Sequence, residues 1–290
     1  MRGHLWQPES PCGTRCMAGH IPSVGLLRRT LRLVKAVAVL LTGPFLAIGM
    51  PLYSKRTRES VVRWFFRGIA RSFGIRIEVH GAHWLREFAE ADRGALVVSN
   101  HISWLDIVAV NAVQPMRAQA KKELAGWPII GRLANAARTV YLDRESLRAL
   151  PVAVDELMRA MRGGSMVNVS PEGTTWCGLA RGRFRPAMFQ AAIDADVPVI
   201  PFVLRYRLED GRDTTAPAFV GDETLVTSLK RTARTRGLVL EVHVLDPIEP
   251  STAKNRRELT VITQAAIREV LSRTQTLPEF EHPTLATAER

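Results

Sequence analysis

From residue 75 onward, short β-like runs alternate with helical stretches, and no other feature of the chain narrows its fold as much. Period-two or short apolar runs occur at 75–81 (IRIEVHG), 95–100 (ALVVSN), 138–143 (RTVYLD), 165–170 (SMVNVS), 197–206 (VPVIPFVLRY) and 238–245 (LVLEVHVL). Helical patterning occupies 105–113, 145–161, 188–194 and 253–272. Strands alternating with helices predict an α/β domain, in which loops at strand ends carry the chemistry.

The segment ahead of this domain has a different character. Residues 36–53 (AVAVLLTGPFLAIGMPLY) hold no charge. As one helix they reach roughly 27 Å, marginal against a hydrocarbon core of about 30 Å. Gly43-Pro44 is expected to break that helix at its middle. Arg28, Arg29, Arg32 and Lys35 precede the stretch, and Lys55, Arg56 and Arg58 follow it. A crossing would put one cluster on the wrong side of the positive-inside rule. The expectation is therefore a monotopic helix-break-helix on the cytoplasmic face of the cell membrane, with a single-span anchor as the alternative.

In 61–73, Arg63, Arg67 and Arg71 form one cationic stripe, while Val61, Val62, Trp64, Phe65, Phe66, Ile69 and Phe73 cover the remaining surface. Such a helix lies in a membrane interface or packs on the following domain. The organisation expected is a flexible leader at 1–22, a membrane-associated helical segment at 23–74, the α/β domain at 75–275 and a polar tail at 276–290.

Charge narrows the partners. Lys+Arg 40 against Asp+Glu 28 leaves +12, a balance that attracts an anionic membrane surface, nucleic acid or phosphate-bearing substrates. No zinc-finger spacing, basic zipper or aromatic–glycine RNA motif is present, so nucleic acid is not an expected partner. Three cysteines, Cys12, Cys16 and Cys177, cannot make a disulfide framework. Cys12-x-x-x-Cys16 lies near His4 and His20 but has no second pair at finger spacing, so no metal site is expected.

The chemistry-bearing residues begin at Ser99-Asn100-His101-Ile102-Ser103-Trp104-Leu105-Asp106. On one continuous helix His101 and Asp106 would point roughly 140° apart. They meet only if His101 lies in the strand-to-helix loop and Asp106 in the first turn, with Ser103 as N-cap. A carboxylate then fixes the imidazole's tautomer and orientation. Ser103-x-x-Asp106 is equally a variant capping box, in which Asp106 accepts backbone N–H bonds. No protein nucleophile is evident: Ser103 sits in no Gly-x-Ser-x-Gly elbow, and Cys177 follows a turn-rich loop. A His–Asp pair without a nucleophile suits general-base chemistry on a substrate hydroxyl.

Further along, Ser170-Pro171-Glu172-Gly173-Thr174-Thr175 is either an ordinary turn or a loop whose amides and Thr174 hydroxyl bind phosphate. Arg144 closes Tyr141-Leu142-Asp143-Arg144 and is a natural phosphate fork. Arg181, Arg183 and Arg185 offer the same chemistry. Lys121 or Lys122 either neutralises an oxyanion or simply faces solvent.

In this order and spacing the motifs resemble the 1-acyl-sn-glycerol-3-phosphate acyltransferases, the lysophospholipid acyltransferases marked by His-x-x-x-x-Asp. His101 and Asp106 match the first motif. Lys121 with Lys122-Glu123-Leu124 and Pro128-x-x-Gly131 matches the segment leading to the second, for which Tyr141-Leu142-Asp143-Arg144 stands. Pro171-Glu172-Gly173-Thr174 resembles the third and Val197-Pro198-Val199-Ile200-Pro201 the fourth. Two departures fall on the acceptor side. Thr175-Trp176 stands where an arginine often follows Gly-Thr, and Arg183-Phe184-Arg185-Pro186 replaces a Lys-x-Gly element.

The resemblance implies a mixed central sheet flanked by helices, as in glycerolphosphate acyltransferases, behind N-terminal membrane-associated helices. It implies acyl transfer from acyl-CoA or acyl-carrier protein, as co-substrate, to a lysophospholipid hydroxyl, first of all that of 1-acylglycerol-3-phosphate. His101 would be the base and Asp106 its partner. Arg144, Glu172, Gly173 and Thr174 would hold the acceptor, and Lys121 would contact an oxyanion or the donor. Neither metal nor cofactor is implied. The alternatives are another lysolipid acceptor, such as a lyso-ornithine lipid, or a thioester hydrolase.

Overall fold

The computed structural model describes residues 9–17, 21–127, 130–143 and 146–277. Its strands are β1 (Arg76–His80), β2 (Ala95–Ser99), β3 (Arg117–Lys121), β4 (Val140–Leu142), β5 (Met166–Val169), β6 (Val199–Leu208) and β7 (Leu238–Val244). They form one sheet in the order β1-β7-β6-β2-β5-β3-β4. From β6 to β4 every neighbouring pair is parallel, β7 is antiparallel to β6, and β1 runs parallel to β7. The sheet is mixed and flanked by helices, as the resemblance implied.

The helices are α1 (Leu26–Gly49), α2 (Lys55–Ser72), α3 (His83–Glu90), α4 (Leu105–Val113), α5 (Ile130–Ala136), α6 (Leu150–Arg162), α7 (Phe189–Ala195), α8 (Leu225–Arg234) and α9 (Arg256–Thr274). Alternation in the fully buried strand β2 sorts them into layers. Ala95 and Val97 pack with Phe65 and Ile69 of α2, Leu85 and Phe88 of α3 and Leu105 of α4. Leu96 and Val98 face Leu157 and Met161 of α6, Phe189 of α7 and Leu259 and Ile267 of α9. Helix α9 starts where Asn255 accepts from the Arg257 and Glu258 N–H groups while Glu258 Oε2 accepts from Lys254 N–H. That reciprocal cap explains why the helix begins later than its apolar pattern predicts.

The N-terminal segment differs from expectation at several points. Pro44 does not break α1, which runs unbroken from Leu26 to Gly49. The missing N–H removes one bond from a long helix, and the reversal waits for the 3-10 turn Met50–Leu52. Helices α1 and α2 then pack together, so closely that a Cβ on Gly68 would sit 3.4 Å from Val39 Cγ1. Of the two alternatives its pattern left open, helix α2 takes packing on the domain for Phe65 and Ile69.

The arginine stripe is partly spent on protein as well. Arg67 Nε donates to Ala112 O (2.9 Å) and Arg63 to Gln114 Oε1 (3.1 Å), at the C-terminal end of α4, where a cation meets the unsatisfied carbonyls. Arg32, placed by sequence in the flanking cluster, donates to Ala233 O (3.1 Å) and Thr235 O (2.7 Å) at the end of α8. Finally, within the stretch expected to be a flexible leader, Cys12 is buried in the core and Thr14–Met17 forms a 3-10 turn. Residues 278–290 of the expected polar tail lie outside the described residues.

A buried ion cluster holds the β6–β7 end of the sheet. Arg205 donates to Asp213 (2.8 Å) and Glu241 (2.9 Å), and Arg207 also reaches Glu241 (3.2 Å). Asp213 in turn accepts from Thr276 N–H (2.6 Å) and Leu277 N–H (3.0 Å), tying down the chain after α9. Truncating one partner strands buried charge on the others. Arg205→Met is expected to cost about 3–5 kcal/mol of stability, read as a lowered denaturation midpoint; a variant as stable as the parent would show that the cluster contributes nothing net.

Candidate active site

Because β2, β5, β3 and β4 are parallel, the loops leaving their C-terminal ends open at one edge of the sheet, the edge at which open α/β sheets bind ligands. His101 leaves the end of β2 there. The 170–176 loop leaves β5, Lys121 ends β3, and Asp143 follows β4. A cavity of ≈ 380 Å³ lined by Arg117, Arg138, Arg159 and Glu156 lies beside the opposite, N-terminal ends of β3 and β4, away from these loops.

His101 is in the loop between β2 and α4, and Asp106 is in the first turn of α4, the placement their spacing requires. His101 Nδ1 and Asp106 Oδ2 are 2.8 Å apart. The same Oδ2 accepts backbone N–H bonds from Ile102 (2.7 Å) and Ser103 (2.9 Å). The two readings of Asp106 are therefore both met by one oxygen, which caps the turn and holds the imidazole. Trp104 rather than Ser103 precedes the helix proper, though Ser103 Oγ still accepts from Leu105 N–H at 3.3 Å. Asp106 is buried, whereas the His101 side chain is 26% exposed. With Nδ1 committed to the carboxylate, Nε2 is the ring nitrogen left for a reactant.

The other carboxylate oxygen binds a residue to which the sequence assigned no role. Tyr206 OH donates to Asp106 Oδ1 at 2.7 Å. Burial, with the Asp106 charge, pushes this phenol well above its ordinary value, so it stays a donor. The register explains its reach. Ser99, the last residue of β2, pairs with Phe202, and β6 continues to Leu208. Four more residues carry Tyr206 roughly 13 Å past the end of β2. Asn100 guides the separation: its side-chain amide bonds both Leu204 N–H (2.8 Å) and Leu204 O (2.9 Å). The sequence signal was available in a tyrosine on the same strand as the fourth motif.

Glu172 is placed differently from expectation. It is 4% exposed, and its oxygens accept from the backbone N–H of His101 (2.6 Å) and of Gly182 (3.0 Å). Both oxygens are engaged by main-chain donors, so Glu172 fixes the backbone of His101. Burial pushes its carboxyl up to about 8, opposed by the two N–H bonds and Arg181 and reinforced by Asp106. The departures near the third motif are structural too. Trp176 is buried and its backbone N–H donates to His101 O (2.8 Å), while Thr175 Oγ1 donates to Phe219 O.

Gly173 has φ +75°, the left-handed backbone that glycine adopts without strain, and Thr174 follows it half-buried on the turn. Lys121 is exposed at the end of β3, two strands from β2 and so about 10 Å across the sheet. Lys122 pairs with Asp143 at 3.6 Å. Arg144 lies outside the described residues. The geometry thus unites His101, Asp106, Glu172 and Tyr206 and leaves Lys121 further along the same edge.

Comparisons with known proteins identify the family. A family model described as Acyltransferase matches residues 76–205. The chain is 33% identical over 246 residues to the 1-acyl-sn-glycerol-3-phosphate acyltransferase of Neisseria meningitidis, covering 85% of this chain and 93% of that protein. The chain belongs to the acyltransferase family. It is also 31% identical to a lyso-ornithine lipid O-acyltransferase of Pseudomonas aeruginosa, over 73% of this chain and 78% of the relative. The fold of this acyltransferase is that of the 1-acyl-sn-glycerophosphate acyltransferase of Thermotoga maritima, with a TM-score of 0.68 at 18% identity, over 89% and 98% of the two chains.

Glu172 makes a pH test of the site. Its folded value of about 8 stands above the ordinary 4.5, so the folded state holds a proton that the unfolded chain releases. The stability this contributes is full below pH 4.5 and is lost as pH rises through 8. Glu172→Gln, which cannot titrate, is expected to flatten that part of a plot of stability against pH. An unchanged slope would mean that Glu172 is ionised throughout.

Proposed function

We propose that this acyltransferase esterifies the free hydroxyl of 1-acylglycerol-3-phosphate with a fatty acyl group from acyl-CoA or acyl-carrier protein, giving phosphatidate. The observation that carries the reading is the 2.8 Å contact of His101 Nδ1 with a buried, fully bonded Asp106. Nε2 takes the acceptor's hydroxyl proton as its oxygen attacks the thioester carbonyl carbon. The tetrahedral intermediate expels the thiolate, which takes that proton from the imidazolium. The products are an ester and a free thiol, and no acyl-enzyme is needed. Asp106, held by two backbone N–H groups and Tyr206, keeps the ring in one tautomer and stabilises the transient imidazolium. Arg144, Gly173 and Thr174 are the proposed acceptor-phosphate contacts, and Lys121 a contact for the donor or oxyanion. The chemistry calls for no metal or cofactor.

A membrane is the proposed setting of the reaction. Helix α1 with the turn after it, Leu26–Leu52, is long and apolar enough to cross one. Leu27, Leu31, Val34, Leu41, Phe45 and Ile48 recur at helical spacing and are exposed, an apolar stripe that protein does not cover. With Trp64 exposed on α2, this suits a lipid-facing anchor beside an anionic cytoplasmic leaflet. The Pseudomonas relative supports a second reading, in which the acceptor is a lyso-ornithine lipid.

His101→Ala is expected to lower kcat by about 10²–10⁴-fold, the usual worth of a general base, while the protein remains membrane-bound. Undiminished turnover would remove the assignment. Acceptor identity is read from purified enzyme, labelled acyl thioester and a panel of lysolipids. Highest kcat/KM with lysophosphatidate supports the first reading, and preference for lyso-ornithine lipid the second. Release of free fatty acid alone would make the protein a hydrolase.

A further inference from the structure

Three thiols converge beside the site and take no part in its chemistry. The Sγ atoms of Cys12, Cys16 and Cys177 all lie within 4.8 Å of one another, although Cys177 stands far along the chain from the other two. Cys12 and Cys177 are 3% and 2% exposed, and Cys16 is half-buried. The N-terminal stretch is held on both sides of this cluster. Gly13 packs against Gly221, where an added Cβ would lie 3.7 Å from its Cα. Further on, Arg236 N–H donates to Pro22 O (2.8 Å) and Val24 N–H to Arg234 O (2.9 Å). On the other side, Gly178 turns the backbone at φ +90°, and Cys177 Sγ accepts the Ala180 N–H at 3.3 Å.

We infer that Cys12, Cys16 and Cys177 bind one thiophilic cation, zinc(II) before others, in a site that is structural rather than catalytic. Tetrahedral zinc with sulfur ligands at about 2.3 Å sets those sulfurs about 3.8 Å apart, inside the 4.8 Å that bounds the present cluster. Three cysteines, one Zn2+ and one water give a tris-thiolate aquo complex and release three protons, with no change of oxidation state. A disulfide would join two of the sulfurs and leave the third without purpose, whereas one cation accounts for all three. Cys12-x-x-x-Cys16 is visible in the chain, but the third ligand comes from the loop after β5 rather than from a second local pair, so spacing alone could not complete the set. The cation would fasten residues 12–16 to the 173–180 loop, whose Trp176 N–H holds His101 O. Its place in the molecule is that of a clamp on the backbone behind the imidazole.

The test uses the full chain in detergent, purified under a non-thiol reductant without chelator. Zinc is measured by mass spectrometry after equilibration and dialysis, and cobalt(II) serves as optical probe. The expected result is about one zinc per chain, with intense thiolate-to-cobalt charge-transfer absorption and tetrahedral d–d bands. Cys177→Ser should weaken zinc binding by more than ~10-fold, and the Cys12→Ser, Cys16→Ser double variant should abolish the cobalt spectrum while far-ultraviolet circular dichroism stays unchanged. Sub-stoichiometric zinc with no charge-transfer band in the parent would overturn the inference. So would undiminished zinc in either variant, or a pair of thiols that oxidises to a disulfide and never binds metal once reduced. These readouts do not depend on acyl transfer, so the site stands or falls apart from the reaction proposed above.

Discussion

The Asp106 carboxylate is the point on which the site depends. It accepts from His101, from the Ile102 and Ser103 amides and from Tyr206, so it joins a side chain, a helix start and a distant strand. A buried carboxylate is costly unless such donors surround it. Here they cover both oxygens, and a charge-assisted bond to each is stronger than a neutral one. Helix α4 adds to this from its other end, where Arg67 and the Arg63–Gln114 contact meet the C-terminal carbonyls while Asp106 stands in the first turn.

A second carboxylate works from behind. Glu172 bridges the backbone N–H groups of His101 and Gly182, and Trp176 N–H grips His101 O, so the peptide units flanking the imidazole are held by the loop after β5. The third motif thereby shapes the histidine's backbone before any substrate arrives. That division of labour, Asp106 for the ring and Glu172 for the main chain, leaves the histidine few conformations and its Nε2 a fixed direction.

The anchor follows the same economy of charge. Arginines read from sequence as partners for lipid headgroups prove to be shared, with Arg32, Arg63 and Arg67 serving helix ends and Gln114 in the protein. The apolar stripe of α1 remains uncovered, so lipid contact falls to α1 while α2 joins it to the domain. Gly43-Pro44 fails to break α1 because one absent hydrogen bond is a local loss, whereas the reversal is completed by the 3-10 turn and the Ser54 cap, which accepts from Thr57 N–H.

The sequence by itself determined the alternation of strands and helices and the span of α4, and it narrowed Asp106 to a partner for His101 or a cap for the turn, because each rests on interactions between near neighbours in the chain. Helices α3, α5 and α8 escaped notice because they are short, and the buried face of α8 makes sense only once α1 packs beside it. Tertiary structure alone decided that Tyr206 reaches Asp106, that Glu172 holds the main chain of His101 and Gly182, and that Cys177 meets Cys12 and Cys16. Each of those contacts joins segments far apart in the chain, and strand order and register, not local spacing, set the distance between them.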